Sequence, residues 1–181
     1  FRVHRQKRGD RVSYHFRFNI KVLEAFITVF FIGYIKVAPG TFGSLFGVIL
    51  TIAIHLNAGP YLFFVIIFLL ALLGTIAIHF STKKIKNKDR KEIVIDEVVG
   101  QSISLFPISV MAHKHGLDLN DLWPFIFFGF LSFRFFDIFK FGPIKQADNR
   151  NDAIGVMLDD VYAGIVSALL LMALMVIIYG Y

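Results

Sequence analysis

The apolar positions of this chain come in long runs rather than in alternation. Residues 61–80 are apolar apart from Thr75 and the terminal His79, and residues 161–179 carry no charge. Each run is long enough to cross a bilayer as a helix, which takes roughly 20 residues. Three further runs, 42–56, 98–112 and 122–136, are 15 residues long, in the range where crossings compete with buried core helices and re-entrant segments. The Phe-rich run 122–136 has strand propensity, but a lone strand at membrane depth leaves its backbone unpaired, so helix is expected there. Residues 22–35 hold an apolar stripe interrupted by Glu24 and followed by Lys36, the pattern of an amphipathic helix that lies at the interface or re-enters. The expected fold is all-α: an integral membrane bundle over 22–181 with about five short transmembrane helices and that N-terminal helix, preceded by a basic cytoplasmic segment at 1–21.

Composition narrows the class. A chain that is 56% hydrophobic with 22 phenylalanines is neither disordered nor an ordinary soluble domain. Cysteine is absent, which removes disulfides, thiolate metal sites and cysteine nucleophiles. The 19 basic and 13 acidic residues leave a net charge of +6, which on a soluble chain would raise nucleic acid as a partner. Here the distribution argues for a membrane instead, and no nucleic acid partner is expected. With the N-terminus cytoplasmic and the five later runs crossing, 18 of the Lys and Arg residues face the cytoplasm and only Lys114 faces away, as the positive-inside rule requires.

The same topology gathers polar residues at the cytoplasmic ends. Asp96 and Glu97 are expected to open one helix, Asp159 and Asp160 to open another, and Arg134, Asp137 and Lys140 to close a third. Acids in apolar surroundings cost roughly 2.5–3.5 kcal/mol each on insertion scales, so they pair, bind cations or line a wet cavity. Helix capping is the bland alternative, but it needs one acid per helix end and has no use for Asp137 at a C-terminal end. Five carboxylates with two cations fit a divalent metal site beside a phosphate site, and all-oxygen ligands favour magnesium. Zinc is disfavoured by the lack of cysteine and of nearby histidine. His55, His79, His113 and His115 have no partner spacing and are expected at interfaces. The run Pro39-Gly40-Thr41-Phe42-Gly43-Ser44 stands at another helix start, where Thr41 and Ser44 offer hydroxyls and glycines let backbone N–H groups approach an anion. Gly100 and Gly164 follow the acid pairs by about one turn and are expected to permit close helix approach.

With these residues in view the chain resembles the phosphatidylglycerophosphatase A family of bacterial membrane lipid phosphatases. The resemblance runs from about Ala38 to Ala168 and rests on PGTFGS at 39–44, IDEVVG at 95–100, FRFFDIFKFGPI at 133–144 and GVMLDDVYAG at 155–164. Where the family often has proline directly after the lysine of the third motif, Phe141 and Gly142 precede Pro143. The resemblance implies magnesium-dependent removal of the terminal phosphate of phosphatidylglycerophosphate, a phospholipid substrate, giving phosphatidylglycerol on the way to cardiolipin. It also implies a bacterial inner-membrane location with the active site facing the cytoplasm. On this reading Asp96, Glu97, Asp137, Asp159 and Asp160 are the catalytic, metal-holding acids, and Thr41, Ser44, Arg134 and Lys140 bind the substrate phosphate. Water or a carboxylate can serve as the nucleophile. The alternative is a cation- or proton-coupled transporter, which predicts acids near mid-span and repeat symmetry; the acids here cluster at one end, and no repeat is present.

Overall fold

The computed structural model describes residues 21–83 and 90–179, so the basic segment expected before residue 21 and the lysines at 84, 86 and 88 lie outside the described residues. Those described are helical, with no strand among them. In chain order they form α1, described over residues 21–27, a 3-10 turn Ile32–Tyr34, α2 (Pro39–Thr82), α3 (Ile95–His115), α4 (Leu119–Phe139), α5 (Pro143–Asp148) and α6 (Ala153–Tyr179).

Helix α2 is continuous by hydrogen bonding but is two arms. Gly59, at φ 67° and ψ 177°, leaves the helical region, and Pro60 follows it. Only glycine takes that conformation without strain, and the proline that follows has no N–H to continue the ladder. The contacts show a reversal. Along the first arm, Gly43 lies against Val94, Gly47 against Gln101, and Gly59 comes closest to His113. Along the second, Phe63 packs on Phe106 at 5.5 Å between ring centroids, and a Cβ on Gly74 would stand 3.4 Å from Ile95. The first arm therefore runs parallel to α3 and the second runs back along it. Helix α4 is antiparallel to α3: Phe133 meets Gly100, and Gly129 meets Leu105. Helix α6 is parallel to α3, with Gly164 on Gly100 at one end and Met175 in the cluster of Ile108 and Ala112 at the other.

Three helices, α2, α4 from Asp121 onward, and α6, are long and apolar enough to cross a membrane. Their outer faces bear this out. Leu69, Leu72 and Leu73 on the second arm of α2 and Leu169, Met172 and Ile177 on α6 are exposed, the kind of apolar outer face that marks contact with a membrane or another apolar partner. Inside, Ser104, Ser132 and Ser167 from α3, α4 and α6 are buried in mutual contact, with Ser167 Oγ 2.7 Å from Ser104 Oγ and 2.6 Å from Ser132 Oγ. Ser104 donates to the Gly129 carbonyl at 3.0 Å. Small residues with short hydroxyls let three helices approach closely and satisfy one another away from water.

Two sequence expectations change. The single helix expected over 22–35 ends at residue 27, because Val29, Phe30 and Phe31 have φ of 48°, 52° and 70°, which a right-handed helix cannot accommodate. Instead Thr28 Oγ1 donates to the Glu24 carbonyl and accepts the Phe31 N–H. Ile27 accepts the Val94 N–H at 3.0 Å, and a Cβ on Gly33 would collide with the Glu92 carbonyl. This segment is thus packed against the approach to α3. Secondly, α6 starts at Ala153, two turns before Asp159. Its N-terminus is capped by Asp152, whose Oδ1 accepts the Gly155 N–H at 2.7 Å, so Asp159 and Asp160 lie inside the helix and do not cap it.

The tightest crossing generates a prediction. A Cβ on Gly164 would overlap the Gly100 carbonyl oxygen, and one on Gly100 would stand 2.6 Å from the Asp160 carbonyl. Backbone cannot swing aside, so Gly164→Ala should cost about 1–3 kcal/mol of packing, against a helix-propensity gain of at most about 1 kcal/mol. The expected outcome is a lowered thermal midpoint by circular dichroism in detergent; an unchanged midpoint would mean the two helices separate without loss.

Candidate active site

At one end of the bundle, α2, α3, α4 and α6 enclose a cavity of about 330 Å³. Its wall contains all five acids expected from the sequence together with Arg134 and Lys140. Asp96 and Glu97 stand in the first turn of α3. Arg134 and Asp137 lie in the last turns of α4, and Lys140 is its C-cap in the left-handed region at φ 46°. Asp159 and Asp160 come from α6, and Gly40 from the start of α2.

The five acids separate into two groups. Asp96, Glu97 and Asp160 each offer a carboxylate oxygen within 4.8 Å of the others. Asp96 and Asp160 are 8% and 3% exposed. Asp96 Oδ1 and Glu97 Oε2 are buried with no hydrogen-bond partner among the described residues. Unpaired anions in such a setting are strongly unfavourable unless a proton or a cation joins them. An all-oxygen trio open to a wet cavity fits a hard divalent ion such as magnesium, which keeps waters and takes substrate oxygens as further ligands. Asp137 and Asp159 have protein cations as well, although Asp159 Oδ1 is also buried without a hydrogen-bond partner among the described residues and Asp137 stands within hydrogen-bonding reach of Asp160. Arg134 Nη1 donates to Asp137 Oδ2 and, at 3.4 Å, to Ser44 Oγ. Lys140 Nζ donates to Asp159 Oδ2 at 2.7 Å and to Asp148 Oδ1 at 2.5 Å. Burial works against the Lys140 charge, but these two bonds outweigh it and hold the ammonium above its ordinary range.

The glycine-rich run at the start of α2 meets the cavity through Pro39 and Gly40. Thr41 and Ser44 are absent from the cavity wall. Ser44 is fully buried, donates to the Gly40 carbonyl at 2.9 Å and supports Arg134 from behind. Gly40 is the residue that reaches the site: a Cβ there would collide with Glu97 Oε1 and stand 3.2 Å from Arg134 Nη1. Its lack of a side chain lets the Glu97 carboxylate and the guanidinium share that space. Among the histidines, His55 has a partner that its spacing does not show: its Nδ1 lies 2.9 Å from Ser109 Oγ between the first arm of α2 and α3.

Four charged wall residues lie outside the site read from the sequence: Arg90, Lys91, Asp148 and Arg150. Asp148 ends the short helix α5, whose start is signalled by Gly142-Pro143, and proline at a first helical position is a legible cue. Arg90 and Lys91 close a lysine-rich run that reads most simply as a topology signal.

A family profile described as Phosphatidylglycerophosphatase A matches residues 25–175. The chain belongs to the phosphatidylglycerophosphatase A family. It is 35% identical over 143 residues to a protein of Haemophilus influenzae named Phosphatidylglycerophosphatase A, covering 78% of this chain and 82% of that one. A protein of the same name from Escherichia coli is 31% identical over 142 residues, covering 75% and 73%. A Bacteroides thetaiotaomicron protein named "Putative phosphatidylinositol-3-phosphatase" is 31% identical over 143 residues, covering 77% and 84%. No solved structure matches. The four motifs that carry the family resemblance supply Gly40, the Asp96-Glu97 pair, the Arg134-Asp137-Lys140 set and the Asp159-Asp160 pair, and in this phosphatidylglycerophosphatase A family member all of these meet at one cavity.

The wall is tied to the N-terminal segment through Arg90. Its Nη2 donates to Glu24 Oε1 at 2.8 Å, and Tyr34 donates to the same oxygen at 2.6 Å. Burial raises the Glu24 pKa, but the bonds from Arg90 and Tyr34 outweigh it and leave the carboxyl below its ordinary value of 4.5. A carboxyl whose folded pKa is lowered stabilises the fold above its unfolded pKa and loses that contribution as pH falls through the folded value. Glu24→Gln should therefore cost up to about 1 kcal/mol of stability at neutral pH, read as a small fall in the thermal midpoint. It should also flatten the midpoint's fall between about pH 5 and pH 3; an unaltered pH profile would place the pair outside the stability of this fold.

Proposed function

We propose that the protein is a magnesium-dependent lipid phosphatase that hydrolyses phosphatidylglycerophosphate to phosphatidylglycerol and inorganic phosphate. The observation that carries this reading is the single cavity holding a three-carboxylate cluster next to an arginine and a lysine, each fixed by its own acid. The names of the Haemophilus and Escherichia relatives support that substrate. The Bacteroides relative's name also denotes removal of a phosphomonoester from a phosphatidyl polyol, so the chemistry is common even where the headgroup differs. We place the protein in a bacterial inner membrane with both arms of α2 and helices α3, α4 and α6 crossing it, the cavity opening to the cytoplasm, and its product feeding phosphatidylglycerol and cardiolipin synthesis. The charge distribution over the loops supports that orientation.

In this reading Asp96, Glu97 and Asp160 hold magnesium. The bound ion supplies polarisation of a phosphoryl oxygen and a water of lowered pKa. Arg134 neutralises charge that builds on the transferring phosphoryl group, and its bonds to Asp137 and Ser44 keep the guanidinium oriented before substrate arrives. Lys140 does the same from the end of α4, steadied between Asp159 and Asp148. Cations held in place by their own partners need no reorganisation at the moment of reaction, which is where electrostatic catalysis gains most. Asp137 and Asp159 act through these cations, and Ser44 through Arg134.

The test is phosphate release from phosphatidylglycerophosphate in mixed micelles, with magnesium or with excess chelator. Wild type should release phosphate only with magnesium, and Asp160→Asn should lose about a hundredfold or more in kcat while keeping its helical circular dichroism. Magnesium should raise the thermal midpoint of wild type, since a ligand that binds only the folded state stabilises it, and leave that of Asp160→Asn unmoved. Wild-type rates in Asp160→Asn, or release that survives the chelator, would overturn the metal-site reading.

A further inference from the structure

The cations of the cavity wall are compensated in two different ways. Arg134 and Lys140 are paired with Asp137, Asp148 and Asp159, all of which line the same wall. Arg90 and Arg150 are paired with Glu24, Glu92 and Asp152, none of which lines it. Their acids stand behind them, outside the cavity, while the cations are part of its surface. Lys91, exposed beside Arg90, adds a third positive charge to the wall.

These three residues also differ in depth. The carboxylate trio is set in helices and nearly buried, whereas Arg90, Lys91 and Arg150 come from the segments that lead into α3 and α6, and the Arg90 and Arg150 side chains are 23% and 49% exposed. The cavity thus has an acidic floor, and its outer wall carries these three cations together with the Lys140–Asp148 ion pair, whose side chains are 27% and 34% exposed. The backing acids fix the forks without using all their donors. Arg90 gives Nε to Glu92 and one N–H from each terminal nitrogen to Glu24, three of the five a guanidinium carries. Arg150 gives Nε and Nη2 to Asp152 at 3.2 Å and 2.8 Å. What remains is a set of oriented donors around an opening, suited to an anionic oxygen group.

A floor that would take a phosphomonoester and a separate set of cations on the outer wall describe a ligand with two phosphates. We propose that Arg90, Lys91 and Arg150 form a second anion subsite, which takes the phosphodiester of a glycerophospholipid whose polyol headgroup carries the scissile phosphomonoester at the floor. The subsite rests on the phosphatase reading above and adds a selectivity to it: lipids with a phosphodiester in addition to the monoester are preferred over lipids with the monoester alone. The source of the anion is the substrate itself rather than the anionic bilayer around it.

The experiment compares phosphatidylglycerophosphate with phosphatidic acid, which has a monoester but no diester, in neutral-detergent micelles free of other anionic lipid. The readout is the ratio of the two kcat/KM values for wild type, Lys91→Gln, Arg150→Gln and the charge-retaining Arg150→Lys. Loss of one charge-assisted contact corresponds to about tenfold in affinity, so the ratio should fall about tenfold in Lys91→Gln and Arg150→Gln, through KM, and partly recover in Arg150→Lys. A ratio equal to that of wild type, whether both rates fall together or neither falls, overturns the subsite and leaves the phosphatase reading standing. So does a loss seen only in anionic vesicles, which would assign the three cations to general membrane attraction. A second measurement separates the two readings: calorimetric binding of the deacylated, two-phosphate headgroup and of glycerol phosphate to the solubilised protein. If wild type hydrolyses neither lipid yet Lys91→Gln weakens the two-phosphate headgroup about tenfold and not glycerol phosphate, the activity fails and the subsite holds; equal weakening or none overturns the subsite as well.

Discussion

Helices α3 and α6 touch backbone to backbone, and that contact decides where the acids go. Gly100 and Gly164 face each other with no room for a Cβ on either. Asp96 precedes Gly100 by four residues and Asp160 precedes Gly164 by four, so each acid lies on the same helix face as its glycine, one turn away. Because the two helices run parallel, both acids lie one turn toward the same end of the bundle. Two carboxylates are thereby brought together by the closest helix approach in the core, with Glu97 beside them. Separating those helices by the width of a methyl group would relax the electrostatic repulsion and open the cluster. The glycines therefore hold an arrangement that the charges alone would disperse.

That arrangement is tolerable because the rest of the bundle is organised around it. Below the acids the serine knot joins α3, α4 and α6, and two apolar clusters fill the space between helices on either side. Above them, Arg134 and Lys140 bring positive charge to the wall and are themselves held by Asp137, Asp148 and Asp159. A buried ion pair is weak support for stability, since desolvation offsets much of the attraction. The stability comes from packing, and the ion pairs use it to keep Arg134 and Lys140 on the wall beside the carboxylate cluster.

Much of this was legible in the sequence because hydrophobic runs and isolated acids are local signals. The five apolar runs lie in helices, two of them in the arms of α2 and the others in α3, α4 and α6, and the acids of three motifs converge on one wall with Arg134 and Lys140. Boundaries were less legible. Residues 153–158 contain apolar side chains and Gly155 but too few for a span of their own, so the start of α6 was placed after them; the cue was Asp152, which caps it. The N-terminal helix was overextended because three consecutive left-handed residues, Val29, Phe30 and Phe31, have no signature in a periodicity. Division of the acids into a cluster and two counter-ions could not be read at all. It depends on which oxygens face which cations across helices, and Asp148 enters only because α5 carries it to Lys140. The bond from Arg134 to Ser44 was illegible for a related reason: a hydroxyl at a helix start has the same sequence signature whether it meets a ligand or supports a neighbouring side chain.

The cavity's borders connect the chemistry to the membrane. Ile138 lines it and is 63% exposed on its other side. Beyond it Phe139 and Phe141 stack at 6.2 Å with an interplanar angle of 10°, and Phe135 packs on Phe139 at 4.8 Å. These exposed aromatic rings continue the apolar outer surface of α4 up to the residue that caps it, Lys140, whose ammonium faces into the cavity. One helix end therefore passes from hydrocarbon-compatible to ionic within a single turn. A soluble phosphate ester would make no use of that transition. A lipid phosphate does, because its tails and its headgroup demand opposite surroundings a few bonds apart, and a wall that changes character over the same distance can receive both without drawing the tails out of the bilayer.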